Sequence, residues 1–274
     1  MPSNSNYDYD SESNLSVEDF SELNQLRELI ESDPELNSYT FHEEFLMMFL
    51  RCRGSAKKAL KRLKSYVKKM KQRPEIFQWN DDLGKAVESD IIQLCTEKNA
   101  DGGGILVIRP GNFNAKIASP QEIFQMAVLG TAFDEEIQRN GIHLLIDASS
   151  GNLFQLWSFG RSNIQYLGEL VESALPVKVQ KIHVAFEHPL ATFVYNLFRP
   201  FTSKKIRQRV IFHGNDMESL HECCPPSSIP SKFGGTNDEK YTFDDYKKVL
   251  DHSQSILMSV WSQFQSKKSK KSKK

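Results

Sequence analysis

Three short, almost wholly apolar runs, Ile105–Ile108, Ile142–Ile146 and Ile182–Phe186, limit the folds open to this chain more than any other feature. Runs of this length, rich in β-branched residues and lacking polar alternation, suit central parallel strands covered on both faces. Helical segments lie between them: Ser119 to Gln138, with Pro120 suited to the first helical position, and about Phe159–Ala174. Strand alternating with helix requires crossover connections, which are right-handed, and so predicts an α/β sheet.

Upstream of the sheet the periodicity is helical. Ser16 followed by Glu18-Asp19 predicts a helix start, with Val17, Phe20, Leu23, Leu26, Leu29 and Ile30 on its apolar face. Thr40, with Glu43 three residues on, matches a capping box before Phe45–Leu50. A third helix, Ser55 to about Arg73, gathers Ala59, Leu60, Leu63, Tyr66, Val67 and Met70 on one face, and Pro74 ends it. A final helix, Phe243 to Phe264, starts after Thr242 with Asp244 and Asp245 in its first turn. The expected organisation is a disordered acidic segment 1–14, a helical subdomain 15–99, an α/β domain 100–264 and a disordered lysine-rich tail 265–274.

Thirty-five basic and thirty-five acidic residues cancel, so charge informs only through its distribution. Arg27 is the only Lys or Arg in residues 1–45, whereas 51–73 holds eleven such residues and no acid. That polarity points to an anionic surface, whether membrane, nucleic acid or acidic protein. Nucleic-acid binding is disfavoured, because Tyr66 is the sole aromatic in the basic run and faces the core. Cys52, Cys95, Cys223 and Cys224 form no metal-binding spacing. The polar N-terminus and the lack of an apolar run near about 18 residues predict a soluble, cytoplasmic chain with reduced thiols. Asp101-Gly102-Gly103-Gly104 precedes its strand rather than following one, so it reads as a turn and not as a phosphate loop. Asp147 reads as a loop cap, and His143, His183 and His213 as satisfied core histidines. No catalytic motif stands out, and the expectation is a protein that is not an enzyme.

The stretch from Leu175 to Gly235 carries the functional signal. The Ile182–Phe186 run ends in Glu187-His188-Pro189. It leads into a segment with Leu190, Phe193, Val194, Leu197, Phe198 and Phe201 at helical spacing. Lys204-Lys205-Ile206-Arg207-Gln208-Arg209, Val210–Gly214 and Ile229-Pro230-Ser231-Lys232-Phe233-Gly234-Gly235 follow. On periodicity alone, a core helix with a solvated basic end and a helix lying on an anionic membrane both remain open. The order of these elements, with Phe49–Arg53 and Pro74-Glu75-Ile76 upstream, resembles the CRAL-TRIO lipid-transfer family, in particular the animal branch of tocopherol and retinaldehyde carriers.

The resemblance implies a mostly parallel sheet flooring a lipid cavity, a gate helix that closes it, and an all-helical N-terminal subdomain. It implies no cofactor and no metal. The gate would present Leu190, Phe193, Val194, Leu197, Phe198 and Phe201, and the cavity would be lined by Phe124, Ala127, Thr131, Ile146, Leu167, Leu170 and Val171. The positions matching a phosphatidylinositol bisphosphate site are Arg53, Lys178, Lys205 and Arg209, with Lys205 and Arg209 on one face if that segment is helical. Ala127 and Thr131 replace polar serines of the tocopherol pocket, and Val177 stands where fungal phosphatidylinositol carriers have Glu. The implied activity is carriage of one hydrophobic lipid by a monomer that docks peripherally on phosphoinositide membranes. The alternative is a membrane-recruited interaction module whose cavity is vestigial.

Overall fold

The apolar runs become the strands they predict. In the computed structural model, which describes residues 16–77, 83–186, 192, 195–196 and 199–271, five strands form one sheet in the order β1-β2-β3-β4-β5. They are β1 (Ile92–Leu94), β2 (Gly104–Ile108), β3 (Ile142–Asp147), β4 (Val179–Ala185) and β5 (Val210–Gly214). β1 runs antiparallel to β2, and the remaining pairs are parallel. Register aligns Leu106, Leu144, Ile182 and Val210 in one row across the sheet, and Val107, Leu145, His183 and Ile211 in the next. Because side chains alternate faces along a strand, the first row faces front and the second back. The front is covered by helices, and the back by residues 217–233, where Leu220, Cys224, Ile229 and Phe233 bury Ile105, Val107, Leu145 and Ala185.

Helix α1 (Val17–Glu31) starts at Ser16, whose side chain accepts from Asp19 N–H. The next helix, α2 (Glu43–Arg53), is capped by His42 and not by Thr40. Thr40, three residues before the helix, instead pairs its backbone with the Gln263 amide, N–H to Oε1 at 2.8 Å and C=O from Nε2 at 2.6 Å. Helix α3 (Ala56–Gln72) buries Ala59, Leu63, Tyr66, Val67 and Met70, as its periodicity requires. Phe45, Phe49, Tyr66 and Phe77 join α2, α3 and the turn after it through edge contacts of 5.1–5.6 Å. After a short α4 (Gly84–Glu88) the chain enters β1, so the sheet begins before residue 100 and the expected boundary there does not divide the core. The same apolar cluster takes in both sides of it.

The single helix expected over 119–138 is two. α5 (Pro120–Ala132) opens with a full capping box between Ser119 and Glu122, and α6 (Glu135–Asn140) opens on Asp134, whose side chain accepts from Ile137 N–H. A second cap inside the run makes the break locally favourable. α7 (Leu153–Phe159) and α8 (Arg161–Ser173) follow β3. Two short helices, α9 (Lys204–Arg207) and α10 (Met217–His221), flank β5. The last helix, α11 (Phe243–Lys271), packs on α2 and α5 and runs past Phe264 into the lysine-rich segment expected to be irregular.

Candidate functional site

The expected cavity residues are all buried or half-buried. Phe124, Thr131 and Leu170 are buried, while Ala127, Ile146, Leu167 and Val171 are half-buried. All but Thr131 and Ile146 belong to one apolar cluster or pack against it, as do Leu144 and Ile182 of the sheet. Thr131 spends its hydroxyl on the Ala127 carbonyl one turn back at 2.7 Å, so it presents no free donor to a ligand. A chain of rings, Phe113–Phe159–Phe124–Tyr166, closes one side at centroid distances of 5.2, 5.9 and 6.4 Å. The surface these residues form is apolar.

The gate residues Leu190, Phe193, Val194, Leu197 and Phe198 lie outside the described residues, as does the Phe201 side chain. Of that segment, Tyr195 is described and packs edge-on against Phe212 of β5 at 5.4 Å. Arg199–Phe201 forms a turn of 3-10 helix.

Two of the four expected headgroup cations, Arg53 and Lys178, both act on the Cys52 thiol. Arg53 closes α2, and its charge acts with those of Arg62 and Lys178 on the Cys52 thiol. Burial dominates there and pushes the thiol up, so Cys52 stays protonated despite its cationic neighbours. Arg209 donates from Nη1 to the Val179 carbonyl, next in chain to Lys178. Lys205 is exposed on α9, but the helix ends at Arg207 and Arg209 leads into β5. The pair is therefore not one helical face.

Arg62, lost among lysines in the sequence, anchors this region. Its buried guanidinium donates to the carbonyls of Leu175 (2.6 Å), Glu172 (2.5 Å), Val171 (3.2 Å) and Val177 (3.0 Å). Three of these, Val171, Glu172 and Leu175, lie in the last turn of α8 or just past it, where a cation is favoured. Burial, then repulsion from Arg53, lowers its pKa to about 10, so it remains charged at neutral pH.

The CRAL/TRIO domain model matches residues 89–235, more than half of the chain's 274 residues. The chain belongs to the CRAL/TRIO domain family. Among curated relatives, the human "Alpha-tocopherol transfer protein-like" is 25% identical over 224 residues, 80% of this chain and 66% of the relative. Clavesin-1 of Xenopus laevis is 26% identical over 78% of this chain and 67% of its own length, and rat clavesin-2 is 26% identical over 78% and 68%. The chain thus spans about two thirds of the length of the relatives it matches. Among solved structures, the Sfh5 crystal structure superposes with a TM-score of 0.53 at 11% identity, covering 88% of this chain and 98% of that one, a likeness of fold.

On this CRAL/TRIO scaffold one surface was not anticipated from sequence. Phe154 and Trp157, on one face of α7, are 76% and 73% exposed. The opposite face is fixed: Gln155 donates to the carbonyls of Gly111 (2.5 Å) and Phe113 (3.2 Å), and Phe159 joins the ring chain. Two large aromatic side chains are therefore held out in water by a firmly anchored turn of helix. The i, i+3 spacing in Leu-Phe-Gln-Leu-Trp-Ser-Phe was the available signal, obscured because the segment is apolar on both faces. Asp147, at the end of β3, accepts from Lys232 at 2.5 Å and from Ser149 N–H at 2.9 Å, so it caps a loop and ties residues 231–233 to the sheet. Among the described residues no helix is long and apolar enough to cross a membrane.

Proposed function

We propose that this chain is a carrier, not an enzyme, that encloses one hydrophobic lipid between the front of the sheet and helices α5 and α8 and exchanges it at phosphoinositide-containing membranes. The observation that carries the reading is the continuous apolar front, in which Ala127, Leu167 and Val171 keep accessible apolar surface beside the buried Phe124 and Leu170. Membership of a family with a tocopherol-transfer-like relative supports the lipid part. Arg53, Lys178, Lys205 and Arg209 would hold the phosphoinositide headgroup, and the helix from Leu190 to Phe201 would gate the cavity. Its apolar face would be covered by ligand in solution and by the bilayer during exchange, which couples release to docking. Phe154 and Trp157 add a fixed hydrophobic contact with the membrane.

The test is paired. Lys205→Glu with Arg209→Glu should weaken binding to vesicles containing phosphatidylinositol bisphosphate and leave bound lipid in place. Phe198→Asp should damage lipid retention or transfer. Unchanged vesicle binding in the first variant would remove the headgroup assignment; normal retention and transfer in the second would remove the gate.

A further inference from the structure

Behind the sheet, away from the lipid face, three histidines form an unbroken chain. His143 on β3, His183 on β4 and His213 on β5 are all buried and stack at centroid distances of 5.6 and 5.2 Å, with ring planes 13° and 21° apart. His143 Nε2 lies 2.9 Å from Asp101 Oδ2, and Asn99 Nδ2 is 3.0 Å from the same ring nitrogen. His143 Nδ1 faces His183 Nε2 at 3.3 Å, His183 Nδ1 faces His213 Nε2 at 3.0 Å, and His213 Nδ1 meets Ser219 Oγ at 2.7 Å.

An ionised Asp101 accepts only, so His143 carries its proton on Nε2 and leaves Nδ1 bare, and the Asn99 amide donates to Asp101 rather than to the ring. His183 and His213 must then each carry theirs on Nε2 to complete the row, and the Ser219 hydroxyl donates into its end. The Cys224 thiol lies beside this row: its Sγ and one ring nitrogen each of His143 and His183 fall within 4.8 Å of one another, and all three residues are buried.

We propose that His143, His183 and Cys224 bind a zinc(II) ion, which takes the place of the proton shared between the two rings. Zinc–nitrogen bonds of about 2.0–2.1 Å in tetrahedral geometry set a nitrogen–nitrogen edge of about 3.3–3.4 Å. His143 Nδ1 and His183 Nε2 already stand at that separation, 3.3 Å. The outer partners that zinc-bound imidazoles require are present too. Asp101 holds the Nε2–H of His143, and His213 stands ready on the far nitrogen of His183. The proton balance closes with one proton released. The Cys224 thiol loses its proton to solvent and becomes the thiolate ligand. His183 and His213 change from Nε2 to Nδ1 tautomers, each still holding one proton, and the Ser219 hydroxyl turns from donor to acceptor. Because Cys224 belongs to the segment covering the back of the sheet, the ion would pin that cover to β3 and β4.

The full-length chain, stripped with chelator and titrated with cobalt(II) and then zinc(II), tests this directly. The expected result is one equivalent of cobalt with a sulfur-to-metal charge-transfer band, bleached by one equivalent of zinc, and a melting temperature raised by zinc. Cys224→Ser should remove the band and weaken zinc binding by at least about 100-fold, while Cys52→Ser keeps both. Asp101→Asn should weaken zinc binding by about 10- to 100-fold. The wild-type spectrum needs no variant to fold. A wild-type titration without the thiolate band, or zinc binding that survives Cys224→Ser, overturns the site and leaves a metal-free hydrogen-bonded row.

Discussion

Replacing both Phe154 and Trp157 with Ala should uncouple the protein from membranes without unfolding it. Full burial of a large apolar side chain is worth about 1.5–3 kcal/mol. These two keep 76% and 73% of their surface in water, so insertion into a bilayer recovers most of that value for each. For the pair the gain is about 2–4 kcal/mol, which corresponds to about a 30- to 700-fold change in vesicle partitioning. The folded state loses almost nothing, since surface changes away from packed features stay within about 0.5 kcal/mol. The assay is sedimentation with vesicles of neutral and anionic lipid containing phosphatidylinositol bisphosphate, alongside a denaturant melt of the same samples. Partitioning within about threefold of wild type, with the fold intact, would refute the docking role of α7.

Two further expectations concern the supports of the site. Arg62→Met should cost about 3–5 kcal/mol, because one buried and three half-buried carbonyls lose their charged donor, three of them from the last turns of α8 or the residues just beyond it; a chemical denaturation midpoint unchanged from wild type would contradict this. Lys232→Met should cost about 1–3 kcal/mol at neutral pH by stranding the buried Asp147 carboxylate. Burial pushes that carboxyl up, but hydrogen bonds from Lys232 and Ser149 outweigh it and hold it below the ordinary aspartate value. A lowered folded pKa contributes stability above the unfolded value of about 3.9 that is lost as pH falls through the folded one, so the gap between wild type and variant should close in acid. A gap independent of pH would rule out the ion pair as its cause.

The central strands were legible because a parallel strand covered on both faces has to be apolar throughout. The three-residue β1, Ile92-Gln93-Leu94, was too short to carry a pattern. The break between α5 and α6 was visible only as Asp134, a cap inside an otherwise continuous helical run. The cavity residues came from family likeness, and the structure places Phe124, Ala127, Leu167, Leu170 and Val171 with the same apolar cluster. Helical spacing of Lys205 and Arg209 misled, because α9 ends between them. The histidine row was hidden by distance along the chain. His143, His183 and His213 each look like an isolated core histidine until parallel pairing sets β3, β4 and β5 side by side, and Cys224 joins them only when the covering segment folds back.

Mass spectrometry of an organic extract of the native protein tests the carrier reading most directly. A single lipid in about one-to-one ratio with the chain is the predicted result, and it would name the cargo. No bound lipid, together with no uptake from a mixed lipid extract, would contradict the account and leave a membrane-recruited interaction module with a vestigial cavity.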